Sequence, residues 1–167
     1  MPANNQGQGN IMKASATLED NLQRVLVDLI ELHIQGKQAH WSVVGKNFRD
    51  LHLQLDEIID SVREFSDQIA ERMRALHGMP DGRTETVTAT TALPKYPGDE
   101  VDTTKVVDLI TERLEVAVAT MREVHDAVDD EDPTSADILH GVIAKLEQYA
   151  WMVNAENQTP RKRTVRN

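Results

Sequence analysis

The sequence predicts an all-α fold, a four-helix bundle with a long crossover between helices two and three. Three observations carry that reading: apolar residues recur at helical spacing through four segments, β-branched alternation is scarce, and aromatics (4%), Gly (8) and Pro (6) are few. With 167 residues, 40% hydrophobic and 28% charged, the chain suits one well-buried domain and is too apolar to be disordered throughout.

Helix one opens at Thr17-Leu18-Glu19-Asp20, which has the form of a capping box. Leu18, Leu22, Val25, Leu26, Leu29 and Leu32 then hold one face until about Trp41. Residues 42–46, with Gly45, make a tight connection, and Asn47 is placed to cap helix two. Its stripe of Phe48, Leu51, Leu55, Ile58, Val62, Phe65, Ile69, Met73 and Leu76 runs to Gly78, a natural C-terminal stop. A loop this short makes helices one and two an antiparallel hairpin. Between residues 79 and 101 the periodicity vanishes, and Pro80, Gly82, Pro94, Pro97 and Gly98 punctuate a Thr-rich stretch that reads as a long crossover. Helix three follows Asp102 or Thr103 and carries Val106, Val107, Ile110, Leu114, Val118, Met121 and Val128. Asp129-Asp130-Glu131-Asp132-Pro133 interrupts it, Thr134-Ser135-Ala136-Asp137 caps again, and helix four carries Ile138, Val142, Ile143, Leu146 and Val153. Short, long and short connections are those of a ferritin-like four-helix bundle. The expected division is a polar N-terminal tail (1–16), the bundle (17–157) and a basic C-terminal tail (158–167).

Composition narrows the chemistry. With 0 Cys there is no disulfide framework, thiolate metal site or cysteine nucleophile, so any metal is held by nitrogen and oxygen. The first residues lack an apolar core of signal-peptide type, and charge soon breaks every apolar stretch, so a cytoplasmic protein without membrane insertion is expected.

On a helix turning 100° per residue, His52, Asp56, Asp67 and Glu71 point roughly at 0°, 40°, 60° and 100° and share one face. Three carboxylates on a partly buried face without cations on the same stripe are costly, and a bound cation offsets that cost. Imidazoles with carboxylates suit iron, manganese or zinc better than calcium or copper(I). Asp56 and Asp67, however, lie 11 residues apart, about 16 Å along a helix, which exceeds one coordination sphere. The pairs His52/Asp56 and Asp67/Glu71 meet only if two copies of helix two pack antiparallel about a two-fold axis near Ser61 and Val62. His40 lies seven residues before Asn47 and His52 five after it, so the hairpin sets them at similar heights. The plainer alternative is a solvated acidic face with a structural histidine. An intrachain di-iron centre is disfavoured, because Glu-x-x-His motifs are absent and Asp137-x-x-His140 has no second copy.

Lys37-Gln38-Ala39-His40-Trp41, Gly45, Asn47-Phe48, Leu51-His52, Asp56 and Asp67-x-x-x-Glu71-Arg72 resemble the Dps proteins, the mini-ferritins named as DNA-binding proteins from starved cells. The likeness continues through Leu93-Pro94-x-Tyr96-Pro97, the acidic turn before Ser135-Ala136-Asp137-Ile138-Leu139, and Trp151. It implies a homo-dodecamer built from two-fold dimers, with a ferroxidase site at the dimer interface. There, His52 and Asp56 would come from one subunit, Asp67 and Glu71 from its partner, and His40 would contribute more weakly or through water. It further implies oxidation of ferrous iron, typically by hydrogen peroxide, and storage of the ferric mineral inside the shell, with zinc a possible substitute ion.

Trp41 and Trp151 read as core residues, and the resemblance also allows Trp41 a role as a radical trap beside the site. His33, His77, His125 and His140 have no matching partner set and read as structural or surface residues. Asp126, Asp129, Asp130, Glu131, Asp132 and Asp137 make an acidic run; gathered about a three-fold axis it would form an ion entrance, with Asp130, Asp132 and Asp137 the chosen residues. Arg161, Lys162, Arg163 and Arg166 polarise a chain of net charge -10, and suit non-specific, salt-dependent contact with double-stranded DNA in the nucleoid, multiplied over a shell. The alternative function is a structural DNA-compacting nucleoid protein with a vestigial or zinc-occupied metal site.

Overall fold

The computed structural model describes residues 12–160, so most of the expected N-terminal tail and the tail residues Arg161, Lys162, Arg163 and Arg166 lie outside the described residues. In chain order the elements are α1 (Ala16–Ser42), β1 (Val43–Val44), α2 (Phe48–Ala75), α3 (Thr84–Thr90), β2 (Val101–Asp102), α4 (Thr103–Glu131) and α5 (Pro133–Ala155). The expected all-α bundle is found, with short, long and short links between the four long helices. Leu22, Val25, Leu29, Leu55, Val62, Ile69, Leu114, Met121 and Leu146, from the stripes read from the sequence, are inaccessible to solvent and fill the space between helices, joined by Leu139, which that reading of the last helix left out. Among the described residues no helix is long and apolar enough to cross a membrane.

Two short strands not expected from the sequence fix the helix register at one end. Val43 pairs in parallel with Val101, and Val44 with Asp102, so the crossover returns to the end where α1 finishes. Consequently α4 starts beside the α1–α2 turn and runs antiparallel to α1. At the opposite end, Ser15 donates through its backbone N–H and hydroxyl to Glu131 at 2.7 and 2.6 Å.

The helix caps differ from the sequence reading, because hydroxyls and carboxylates one to three residues away compete for each terminus. Ser15, not Thr17, caps α1, accepting from the Leu18 N–H at 3.1 Å. Asn47 precedes α2 in a left-handed conformation (φ 58°) and its side chain makes no cap bond; it donates instead to Glu156. The left-handed residue after α2 is His77 (φ 63°), while the Gly78 N–H closes the terminus onto Met73 O at 2.8 Å. Asp132, not Thr134, caps α5, with Pro133 occupying the first turn.

The crossover is pinned by two buried charges. Asp28 of α1 accepts from Thr91 Oγ1 (2.8 Å), Ala92 N (2.7 Å) and Thr120 Oγ1 (2.7 Å). Arg113 of α4, 1% exposed, donates to Gln35 of α1, Leu109 O, Pro94 O and Lys95 O, and lies 5.3 Å from the Tyr96 ring centre. Each ion is saturated by hydrogen bonds, which offsets the desolvation of burying it. The seven-residue α3 occupies part of the Thr-rich stretch; too short to show helical periodicity, it buries Val87 alone.

Asp132 joins three elements. Its Oδ2 accepts from Arg72 Nη2 at 2.7 Å, from the Ser135 N–H at 3.2 Å and from the Ser135 hydroxyl. Burial pushes this carboxyl up, but Ser135 and the Arg72 guanidinium outweigh it and hold the group below its ordinary value. A depressed folded-state pKa contributes stability above the unfolded value, and that stability is lost as pH falls through the folded one. Asp132→Ala should therefore cost about 2–4 kcal/mol near neutral pH, by loss of a cap and of a buried ion pair. The deficit should shrink as the pH is lowered below about 4. Chemical denaturation at fixed protein concentration measures both, and a variant as stable as the parent at pH 7 would contradict the assignment.

Candidate metal centre

The α1–α2 turn builds the site. Gly36 permits the close approach that precedes it, because a Cβ there would lie 3.0 Å from Ile59 Cγ1. One turn further, Lys37 and His40 of α1 face His52 and Asp56 of α2, and the chain reverses between them through Gly45 (φ 118°). The expected match in height is found: the His40 and His52 rings stack with centroids 3.6 Å apart and planes 23° from parallel.

Each imidazole bonds the other's backbone. His40 Nδ1 lies 3.1 Å from His52 O, and His52 Nδ1 lies 3.0 Å from His40 O. A carbonyl oxygen only accepts, so both Nδ1 atoms donate, and in the neutral rings it is Nε2 that keeps the lone pair. This is the tautomer a metal-ligating histidine needs, fixed by main-chain atoms.

Asp56 completes a three-residue donor set. Its Oδ1 is 3.2 Å from His40 Nδ1, and one ligand atom from each of His40, His52 and Asp56 lies within 4.8 Å of the others. Among the described residues this group alone combines His, Asp or Glu in that way. Two imidazoles and one carboxylate suit a borderline divalent transition ion and leave coordination positions open. Lys37 Nζ, 2.8 Å from Asp56 Oδ1, already neutralises the carboxylate, a partner on α1 that reading helix two alone misses. Its hydrogen bond holds the Asp56 carboxyl below the ordinary value, with His40 and His52 acting in the same direction.

The other predicted ligands stay apart. Asp67 and Glu71 are exposed further along α2, and Asp67 lines an open groove of about 580 Å³ with Asp60, Arg63 and Glu64. Three large apolar side chains on the same two helices, Trp41 next to His40 in the chain and Phe48 and Leu53 flanking His52, are 69%, 42% and 44% exposed. Phe48 packs 4.9 Å from the His52 ring. The expected core placement of Trp41 and Trp151 is therefore corrected, since both side chains point outward and Trp151 is 71% exposed. Asp130 and Asp137 are exposed at the α4–α5 turn. Asp132, expected with them at an ion entrance, is buried and spent on Arg72 and Ser135, so its carboxylate is withdrawn from solvent. His125 and His140, expected to lack partners, have their Nε2 atoms 2.6 Å apart. The same hairpin arithmetic that aligned His40 with His52 would have found them, as they flank Asp132 by seven and eight residues.

The profile of the ferritin-like domain matches residues 19–162. The "DNA protection during starvation protein" of Agrobacterium fabrum is 33% identical over 87% of this chain and 90% of its own length. The "DNA protection during starvation protein 2" of Deinococcus radiodurans is 34% identical over 80% of this chain, which spans 56% of that protein's length. The crystal structure of Dps92 from Deinococcus radiodurans superposes with a TM-score of 0.83 and 33% identity, covering 86% of this chain and 88% of that one.

The reciprocal main-chain bonds make a spectroscopic prediction. Two-bond ¹H–¹⁵N spectra of histidine-labelled protein, recorded without metal above the histidine pKa range, should show Nδ1 protonated and Nε2 bare for both His40 and His52. A protonated Nε2 on either ring would contradict the geometry.

Proposed function

This chain belongs to the ferritin-like family and, within it, to the Dps proteins, and from that premise we propose that it oxidises ferrous iron with hydrogen peroxide and stores the ferric product in a homo-dodecameric shell. The observation that carries the proposal is the His40, His52 and Asp56 cluster, with its bare Nε2 atoms and apolar rim. His52 and Asp56 bind Fe(II) as substrate, with His40 directly or through water. Asp67 and Glu71 of a second copy face them across the two-fold axis, and Trp41, Phe48 and Leu53 are covered by that copy.

The chemistry follows from the donors. Carboxylate oxygen is a hard ligand that stabilises Fe(III) over Fe(II), which lowers the potential at which an electron leaves. Two ferrous ions side by side surrender one electron each. One hydrogen peroxide takes both, with two protons, and leaves two waters, so its O–O bond is cleaved without releasing a hydroxyl radical. Trp41 stands beside the centre as a trap for any radical that forms. Asp130 and Asp137 supply negative potential at an entrance for the cation. Binding of double-stranded DNA, without sequence preference, falls to Arg161, Lys162, Arg163 and Arg166, in a cytoplasmic protein associated with the nucleoid.

The two halves of a shared site can be separated by mixing. His52→Ala and Glu71→Ala should each lower peroxide-driven Fe(II) oxidation at least about tenfold. Reassembled from equal amounts of the two variants, half the dimers carry one of each chain and one intact site, restoring about a quarter of parental activity. Stopped-flow absorbance reads the rate, and absence of recovery in properly assembled mixed shells would refute the shared site. For DNA, truncation after Thr159 should abolish retardation of a duplex in low-salt gels, whereas retained binding would refute the tail mechanism.

A further inference from the structure

We infer that His125 and His140 form a second cation site, a bis-imidazole centre for a borderline divalent transition ion of the zinc type. It lies on the α4–α5 hairpin, at the end of the bundle opposite the α1–α2 turn, and shares no residue with the cluster described above.

The rings are splayed so that their ligand atoms converge. Their centroids are 4.5 Å apart with planes 27° from parallel, yet the two Nε2 atoms approach to 2.6 Å. The His125 ring is backed by a carboxylate on its other nitrogen, with Nδ1 3.1 Å from Asp126 Oδ1, while Asp137 Oδ1 stands 3.8 Å from His140 Nδ1, outside hydrogen-bond reach. A carboxylate behind Nδ1 orients the ring and raises the basicity of Nε2, the arrangement seen around metal-bound histidines. The pair opens into a basin of about 360 Å³ that also includes Arg122, Ile143 and Glu147. The one cation in that lining, Arg122, is ion-paired with Glu147, so it leaves little net repulsion toward an incoming ion.

At 2.6 Å one Nε2 donates and the other accepts. With both rings neutral and the His125 Nδ1–H given to Asp126, His125 Nε2 is the acceptor and His140 Nε2–H the donor. A metal ion takes the place of that single shared proton, which moves to His140 Nδ1 on the side of Asp137. Zinc–nitrogen bonds of about 2.0–2.1 Å in tetrahedral geometry require the nitrogens to be about 3.3 Å apart, so the Nε2 atoms separate by about 0.7 Å. Side-chain rotation supplies this, because the two side chains are 21% and 59% exposed. Two waters complete the sphere. Imidazole nitrogen selects zinc, copper, nickel or cobalt over magnesium or calcium.

Equilibrium dialysis of the full chain against Zn²⁺ tests the site. His125→Ala and His140→Ala should each lose one bound Zn²⁺ per chain while Asp56→Ala loses a different one, so that Asp56→Ala/His140→Ala loses both. Zinc uptake by His125→Ala and His140→Ala equal to the parent's at every concentration would overturn the proposal. A zinc-soaked crystal of the parent protein does not depend on how the variants fold. An anomalous peak bonded to both Nε2 atoms supports the centre, and none within reach of both rings rejects it.

Discussion

The turn from α1 to α2 is the constraint on which the candidate metal centre depends. Between Ser42 and Phe48 the chain reverses through Gly45 and a left-handed Asn47, while Val43 and Val44 are tied to Val101 and Asp102. Those ties hold the turn against the start of α4. A one-residue insertion would turn α2 by about 100° and carry His52 and Asp56 off the face that meets His40. The stacked imidazoles are part of the same clamp: each spends its Nδ1–H on the other's carbonyl. Structure and chemistry thus use different atoms of one ring, and holding the turn leaves Nε2 available.

The crossover contributes by where it lies. Asp28 and Gln35 of α1 and Arg113 of α4 anchor it, so the buried ions of those two helices face it, and Thr120 of α4 ties Asp28 in place. Asp67 and Glu71 on α2 remain exposed. A polar crossover would be expensive to hold against a bundle if its backbone went unsatisfied; here Asp28 accepts from it and Arg113 donates to it at several points.

The bundle was legible because its signals are periodic. Leu22, Val25, Leu29, Leu55, Val62 and Ile69 announce buried faces by spacing alone, and all are buried. The connections were less legible. Several oxygen-bearing residues crowd each terminus, and tertiary partners choose among them: Glu131 recruits Ser15, and Arg72 recruits Asp132. His40, His52 and Asp56 could be assembled by counting from the turn. Lys37 could not be assigned to Asp56 by the same count, since a long flexible side chain reaches across helices without leaving a period. Trp41 and Trp151 misled for a related reason: size argues for burial within a chain, whereas large exposed aromatics mark surfaces that meet something else.

Exposed apolar surface and an incomplete ligand set give one reason why association would precede oxidation. One chain offers three ligand atoms, enough to hold a ferrous ion among waters but not to hold two. A lone ferrous ion gives peroxide a single electron, and the product of a one-electron cleavage is hydroxyl radical. Two-electron cleavage needs a second ion within reach, hence further carboxylates opposite His52, and α2 supplies them only from a position about 16 Å along its own axis. A two-fold axis would convert that separation from an obstacle into the design: each Asp67/Glu71 pair, too far from its own Asp56, would be brought to the partner's. Trp41, Phe48 and Leu53, costly to leave in water, would then become the contact that holds the two halves together. Assembly and radical avoidance would then be consequences of one geometric fact, the spacing of four ligands along α2.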